Sequence, residues 1–183
     1  MITLILQALY FMLPAYVANM TPVFFSNVKM GRVLDSPVDL RRSFLGKRIF
    51  GDNKTVKGFL FGTLFGVLTC LVQFCLFKYG FVKELNLIGY TFYNSVLIGF
   101  LLGFGALLGD SIKSFFKRQL SIKPGRPFPV FDQIDYVLGS LLLVLTSVNL
   151  SWQIIVIILL ISPLLPIIAN IIAYSLKLKK VWW

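Results

Sequence analysis

Five stretches of the chain are apolar over about the length that a bilayer demands: residues 2–25, 58–79, 88–109, 128–149 and 152–176. A crossing helix takes about 20 consecutive apolar residues, because the backbone must satisfy its own polar groups where water is absent. Five crossings nearly exhaust a chain of 183 residues. We therefore expect an all-α fold, a polytopic integral membrane protein forming a single domain over residues 1–183 with five transmembrane helices. Composition agrees: 57% hydrophobic and 14% charged residues lie outside the range of soluble domains and of disordered chains. The first stretch has no basic residue before it and no small-residue cleavage site, so it reads as a span and not as a removable leader.

The polar segments fix an orientation. Residues 26–57 carry Lys29, Arg32, Arg41, Arg42, Lys47, Arg48, Lys54 and Lys57; residues 110–127 carry Lys113, Lys117, Arg118, Lys123 and Arg126; the tail adds Lys177, Lys179 and Lys180. The opposite side has only Lys78 and Lys83. Basic residues collect on the cytoplasmic side. The N-terminus is thus expected outside, with loops 26–57 and 110–127 and the C-terminus in the cytoplasm of a multi-pass cell-membrane protein. The formal net charge of +11 points to anionic partners such as lipid phosphates or nucleotides. The absence of histidine excludes imidazole acid–base chemistry and His-ligated metal.

Small residues mark close helix approach: Gly58, Gly62 and Gly66 in the second span, Gly99 and Gly103 in the third. Pro14 and Pro22, and Pro163 with Pro166, are expected to kink the first and last spans. Trp152, Trp182 and Trp183 read as interfacial anchors. Cys70 and Cys75, five apart in an apolar run, read as structural residues on different helix faces. No internal repeat is visible, so an inverted-repeat transporter gains no support.

The chemistry gathers at one boundary. Asp110 closes the third span, and Asp132 and Asp135 stand in the first turns of the fourth, where a spacing of three puts both carboxylates on one helix face. Acids at a membrane boundary need positive charge among them. Either a hard cation, most simply Mg²⁺ bound with substrate phosphates, or ion pairing with Lys113, Lys117 or Arg118 supplies it. At about 100° per residue, Asp110, Ser111, Lys113, Ser114, Lys117 and Arg118 fall within an arc of about 160°, opposite Ile112, Phe115 and Phe116. Asn53, Lys54, Thr55 and Lys57, in the glycine-bounded run from Gly51 to Gly58, suit a phosphate cradle or a solvated basic loop. Asn19 and Thr21 lie at membrane depth, where they suit a lipid head group or the backbone freed by Pro22.

At these residues the sequence resembles the CDP-archaeol synthase family and, more distantly, the phosphatidate cytidylyltransferases. The shared pattern is Ser114, the pair Lys117-Arg118, a turn from Lys123-Pro124-Gly125 to Pro127-Phe128-Pro129, and Asp132-Gln133-Ile134-Asp135. The run Gly51-Asp52-Asn53-Lys54-Thr55-Val56-Lys57-Gly58 resembles the archaeal nucleotide loop, and the glycine- and histidine-rich turn of the bacterial enzymes is missing. The resemblance implies a cytidylyltransferase that moves cytidylyl from CTP to the phosphate of an isoprenoid glycerol phosphate lipid, with Mg²⁺ as cofactor. It implies Asp110, Asp132 and Asp135 as metal ligands and catalytic residues with Lys113 and Lys117. Asn53, Lys54, Thr55 and Lys57 would bind CTP, Ser114 and Arg118 the lipid phosphate, with Lys113, Lys117 and Arg118 open between that phosphate and the leaving pyrophosphate; Asn19, from its depth, is a further candidate for the lipid phosphate. The expected partners are CTP, this lipid and membrane lipids, without nucleic acid; a homodimer is left open. Two rivals are a CDP-alcohol phosphotransferase, whose longer acidic pattern is not met after Asp135, and an anion transporter or non-enzymatic lipid-binding subunit, which predicts charge midway through the bilayer.

Overall fold

The computed structural model describes residues 1–26, 28–123 and 125–175. Lys177, Lys179, Lys180, Trp182 and Trp183, and Pro124 of the expected turn, lie outside the described residues. Helix α1 spans Ile2–Phe25; a two-residue hairpin pairs β1, Ser43–Phe44, with β2, Lys47–Arg48; α2 spans Val56–Lys78. After a single 3₁₀ turn at Lys83–Leu85 come α3, Phe92–Gln119, α4, Phe131–Val144, α5, Trp152–Ile161, and α6, Leu164–Ser175. The all-helical expectation stands.

Among the described residues three helices, α1, α2 and α3, are long and apolar enough to cross a membrane. The other two expected spans differ. Helix α4 has 14 residues, which rise about 21 Å and fall short of an apolar core about 30 Å thick. The stretch 152–176 is broken into α5 and α6 at Ser162 and Pro163, with Pro166 one turn on. The third expected span also starts later and runs further than hydropathy suggested. Thr91 and Asn94 form a reciprocal cap that starts α3. Residues 110–119, expected as the beginning of a loop, are instead the last turns of α3, because polarity alone does not end a helix and no glycine or proline occurs there.

The bundle packs small residues inward and large ones outward. On α2, Gly58, Gly62, Gly66, Cys70 and Gln73 are buried, while Leu60, Leu64, Leu68 and Val72 are exposed at four-residue spacing. That polarity suits a lipid solvent, in which leucine gains nothing by hiding and small residues let backbones meet. Helix α3 sits centrally against α1, α2 and α4, and Phe11, Met12, Leu102, Ala106, Tyr136, Val137, Ile154 and Ile158 fill the core. Cys70 is buried and Cys75 exposed, both as free thiols.

Carbonyls that proline leaves without a helical donor are answered from neighbouring helices. Pro14 leaves the Tyr10 carbonyl without its helical donor, and Gln73 Nε2 donates to it at 2.6 Å. Pro166 does the same to Ser162, whose carbonyl accepts from Tyr136 Oη at 2.8 Å and from Leu165 N at 3.2 Å. Tyr16 Oη lies 2.6 Å from Ser162 Oγ, so α1 and α4 together hold the break between α5 and α6. Thr21 Oγ bonds the carbonyl of Val17, not that of Ala18 which Pro22 frees.

The connection from α1 to α2 is folded around Asp39. Its carboxylate accepts from the N–H groups of Arg41, Phe50 and Gly51 at 3.0, 2.9 and 3.1 Å and from Arg48 at 3.0 Å. Burial works to raise its pKa, but these donors outweigh it and hold the group down at about 2. The hairpin then lies on the end of α3: the rings of Phe44 and Phe115 are 5.8 Å apart, and Lys47 Nζ donates to the Gln119 carbonyl at 2.5 Å.

Candidate active site

Three elements converge at one end of the bundle: the last three turns of α3, the first turn of α4 and the loop entering α2. The approach of α3 to α4 depends on glycine. A Cβ at Gly105 would stand 2.6 Å from the Gly139 carbonyl oxygen, and one at Gly109 would collide with that of Asp135. Ser140 Oγ bonds the Leu102 carbonyl across the same seam at 2.9 Å. With the backbones this close, Asp135 Oδ2 lies 2.7 Å from Lys113 Nζ.

Lys113 is the centre of the cluster. Its ammonium is also 3.0 Å from Asp110 Oδ1 and 3.1 Å from Asp132 Oδ1. Lys54, brought in from the α2 entrance, pairs with Asp110 Oδ2. Lys117 Nζ pairs with Asp132 at 3.2 Å and donates to the Arg126 carbonyl at 2.6 Å, tying the next loop to α3. Asp132 in turn accepts from Phe128 N at 2.6 Å, which fixes it at the mouth of α4 where Val130 provides no side-chain cap. Three carboxylates thus face three ammonium groups in one partly buried patch, so the ion pairing weighed from the sequence is present, with Lys54 in the part considered for Arg118.

Two cavities flank the Lys54–Asp110 pair. One of about 320 Å³ is bordered by Lys113, Ser114, Lys117 and Arg118. The other, of about 840 Å³, is bordered by Asn19, Pro22, Thr55 and Lys57. Both share Asp52, Asn53, Lys54 and Asp110 as a wall. An apolar groove of about 460 Å³ lies beside the start of α4, along Val130, Ile134, Leu159, Leu160, Pro163 and Ile167.

The expected residues are therefore partly gathered and partly reassigned. Asp110, Asp132, Asp135, Lys113 and Lys117 form the cluster, and Asn53 and Lys54 stand between the cavities. Ser114 and Arg118 border the smaller one, whereas Asn19, expected beside them, borders the larger. Thr55 Oγ caps α2 by accepting from Gly58 N at 3.2 Å. Lys57 is 6% exposed and turned away from the cluster: its ammonium is 2.7 Å from Asp35 Oδ1 and from the Val28 carbonyl. That hydrogen bond from Lys57 leads the causes holding the Asp35 pKa below its usual value. Ser111 faces inward, with Oγ on the Leu107 carbonyl at 2.8 Å, while Ile112 and Phe116 are exposed. Sequence reasoning missed the Gly105–Gly109–Gly139 seam, although the four-residue spacing of Gly105 and Gly109 was its signal. It also missed the roles of Asp39 and Arg48 in shaping the loop, which no local spacing reveals.

The chemistry of the donor set fits a hard divalent cation: carboxylate oxygens alone, three of them within 3.1 Å of one point. Asp135 Oδ2 is buried and no donor meets it in hydrogen-bond geometry, the Lys113 ammonium standing close but off its axis. As the side chains stand, Lys113 Nζ holds the shared point, and among the described residues no three acids, cysteines or histidines are grouped as metal ligands.

A helical bundle with such a charged pocket at one end is the architecture of an intramembrane enzyme. The fold matches, with a TM-score of 0.66, 34% identity and coverage of 91% of this chain and 94% of the other, a solved structure described as an intramembrane enzyme for archaeal membrane lipids biosynthesis. A family model described as "CarS-like: CDP-archaeol synthase" matches residues 1–183. The chain is 37% identical over 181 residues to the CDP-archaeol synthase of Methanocaldococcus jannaschii, covering 98% of each, and 40% identical over 185 residues to that of Methanococcus maripaludis, covering 100% of this chain and 99% of the other. It is 38% identical over 179 residues to the Thermofilum pendens enzyme, covering 97% of this chain and 80% of that one. The chain belongs to the CDP-archaeol synthase family.

Proposed function

We infer that this chain transfers the cytidylyl group of CTP to the phosphate of 2,3-bis-O-(geranylgeranyl)-sn-glycerol 1-phosphate, giving CDP-archaeol and pyrophosphate, with Mg²⁺ as cofactor and the site facing the cytoplasm. The observation that carries this reading is the wall of Asn53, Lys54 and Asp110 between two cavities, which lets two anionic reactants meet at a shared charged edge. The larger cavity has the volume for a nucleotide, and Asn19, Thr55 and Lys29 line it. The smaller one, rich in cations, suits the lipid phosphate, and the separate apolar groove along Val130, Ile134 and Leu159 at the start of α4 suits the isoprenoid tails.

The chain needs no general base. A phosphate monoester is mostly dianionic at neutrality, with a second pKa of about 6. Its oxygen attacks the α-phosphorus of CTP, a new P–O bond forms, and the bond from the α-phosphorus to the bridging oxygen breaks as pyrophosphate leaves. What the site must supply is charge neutralisation and alignment. Lys113, Lys117 and Arg118 would hold the attacking phosphate, and Lys54 and Asn53 the nucleotide phosphates. Asp110, Asp132 and Asp135 would hold Mg²⁺, which when bound supplies Lewis-acid stabilisation of the phosphoryl oxygens. Membranes containing the chain, given labelled CTP, Mg²⁺ and the archaeal phosphate lipid, should form a labelled lipid and release pyrophosphate. No labelled lipid from either the archaeal substrate or a diacyl phosphatidic acid would overturn the reading.

A further inference from the structure

The three acids already have a cation among them, and it belongs to the chain. Lys113 touches Asp110, Asp132 and Asp135 at 3.0, 3.1 and 2.7 Å, whereas Lys54 and Lys117 each pair with a single carboxylate. Acids drawn this close repel one another unless a positive group sits between them. A divalent ion held by the same three residues needs the oxygens that the ammonium now uses. Two cations cannot share them. On its other side Lys113 borders the 320 Å³ cavity with Lys117 and Arg118. Its flexible four-carbon stem allows the charge to turn from the acids to that cavity.

We propose that Lys113 is an exchangeable counter-cation: it holds the carboxylates together before metal arrives, yields its place to a divalent ion, and carries its charge to the anion in the adjoining cavity. This rests on the reading of the three aspartates as the metal site. It follows that metal affinity without substrate is lowered by the fraction of protein in which Lys113 holds the acids. By linkage, an anion that engages Lys113 strengthens metal binding by the same factor as metal strengthens anion binding.

The test uses the full chain in detergent with Mn²⁺ alone as probe and no nucleotide, bound and free ion being separated by electron paramagnetic resonance. Lys113→Met should bind Mn²⁺ about tenfold or more tighter than the wild type, and Asp135→Asn should bind far more weakly. In the wild type, acylation of the Lys113 amine, read by peptide mass spectrometry, should rise several-fold with saturating Mg²⁺; this readout decides alone if the methionine variant does not fold. Equal or weaker Mn²⁺ binding by K113M, or Lys113 labelling that Mg²⁺ leaves unchanged, would overturn the exchange while the metal site itself stands. Unchanged Mn²⁺ binding in D135N would remove the site, and the exchange with it.

Discussion

At the scale of single residues, neighbours in the sequence do different work. Asp132 and Asp135 share a helix face, yet Asp132 is fixed by the Phe128 N–H and two lysines, whereas Asp135 is 8% exposed, accepts from Tyr136 N at 2.7 Å and pairs with a single lysine, Lys113. Replacing either by Asn removes a charge from the proposed reaction centre without changing shape. Each variant should lose about 10²-fold or more of cytidylyl transfer, the scale of a lost electrostatic stabiliser, while remaining monodisperse by size-exclusion chromatography. Turnover within a few-fold of wild type would contradict the assignment. Asn53, in the loop before α2, and Lys57, in the first turn of that helix, separate differently. Asn53→Ala should raise KM for CTP with little change in thermal stability. Lys57→Met removes the ion-pair partner of Asp35 and the donor to the Val28 carbonyl, so it should lower the melting temperature, with KM for CTP changed less than in the Asn53 variant.

Elements set the spacing that these residues depend on. The seam of α3 and α4 tolerates no side chain at Gly139, where a Cβ would run into the Gly105 carbonyl oxygen. Gly139→Ala should therefore cost about 1–3 kcal/mol by overpacking and reduce activity with it, since any parting of the helices draws Asp135 from Lys113. A variant as stable and active as wild type would show that the two helices do not meet there. The loop ahead of α2 has an acid dependence of its own. Asp39 has a pKa of about 2 against an ordinary 3.8, so it binds a proton more weakly in the folded loop than in the unfolded chain. Its contribution is complete above about pH 4 and is lost as pH falls through about 2. Pepsin digestion across pH 4 to 2 should show cleavage within 39–51 rising toward the acid end, and Asp39→Asn should be cut readily even at pH 4. Resistance of the wild-type loop that does not change over this range would refute its organising role.

Most of the charge of the described residues lies at one end of the molecule. Asp110, Asp132, Asp135 and the loop 28–55 lie together, while the turn at Lys83–Leu85 lies at the other end, where Gln7 Nε2 bonds the Glu84 carbonyl at 2.8 Å. The excess of lysine and arginine at the first end predicts that it faces the cytoplasm. With both native cysteines replaced by serine, a cysteine at position 84 should react with a membrane-impermeant maleimide added outside intact cells. A cysteine at position 45 should react only in inverted vesicles. The opposite pattern would reverse the orientation and put the site away from cytoplasmic CTP.

The membrane class, the gathering of acids and lysines at one end of the molecule and the residue types that meet there were legible without a structure. They depend on local quantities: the length of apolar runs, the asymmetry of basic residues, and the three-residue spacing of Asp132 and Asp135. What only the tertiary structure decided is which charge meets which. Lys54 reaches Asp110 across 56 positions, Lys113 rather than a solvent face receives all three acids, and Lys57 and Thr55 serve the entry to α2. The breaks also escaped hydropathy, because α4 is short and 152–176 is divided where Tyr16 and Tyr136 reach Ser162 beside two prolines. Apolar length measures a preference for lipid residue by residue. The distance between two charges is set by how closely backbones pack, and here that is settled by glycines on separate helices that lie side by side only once the chain has folded.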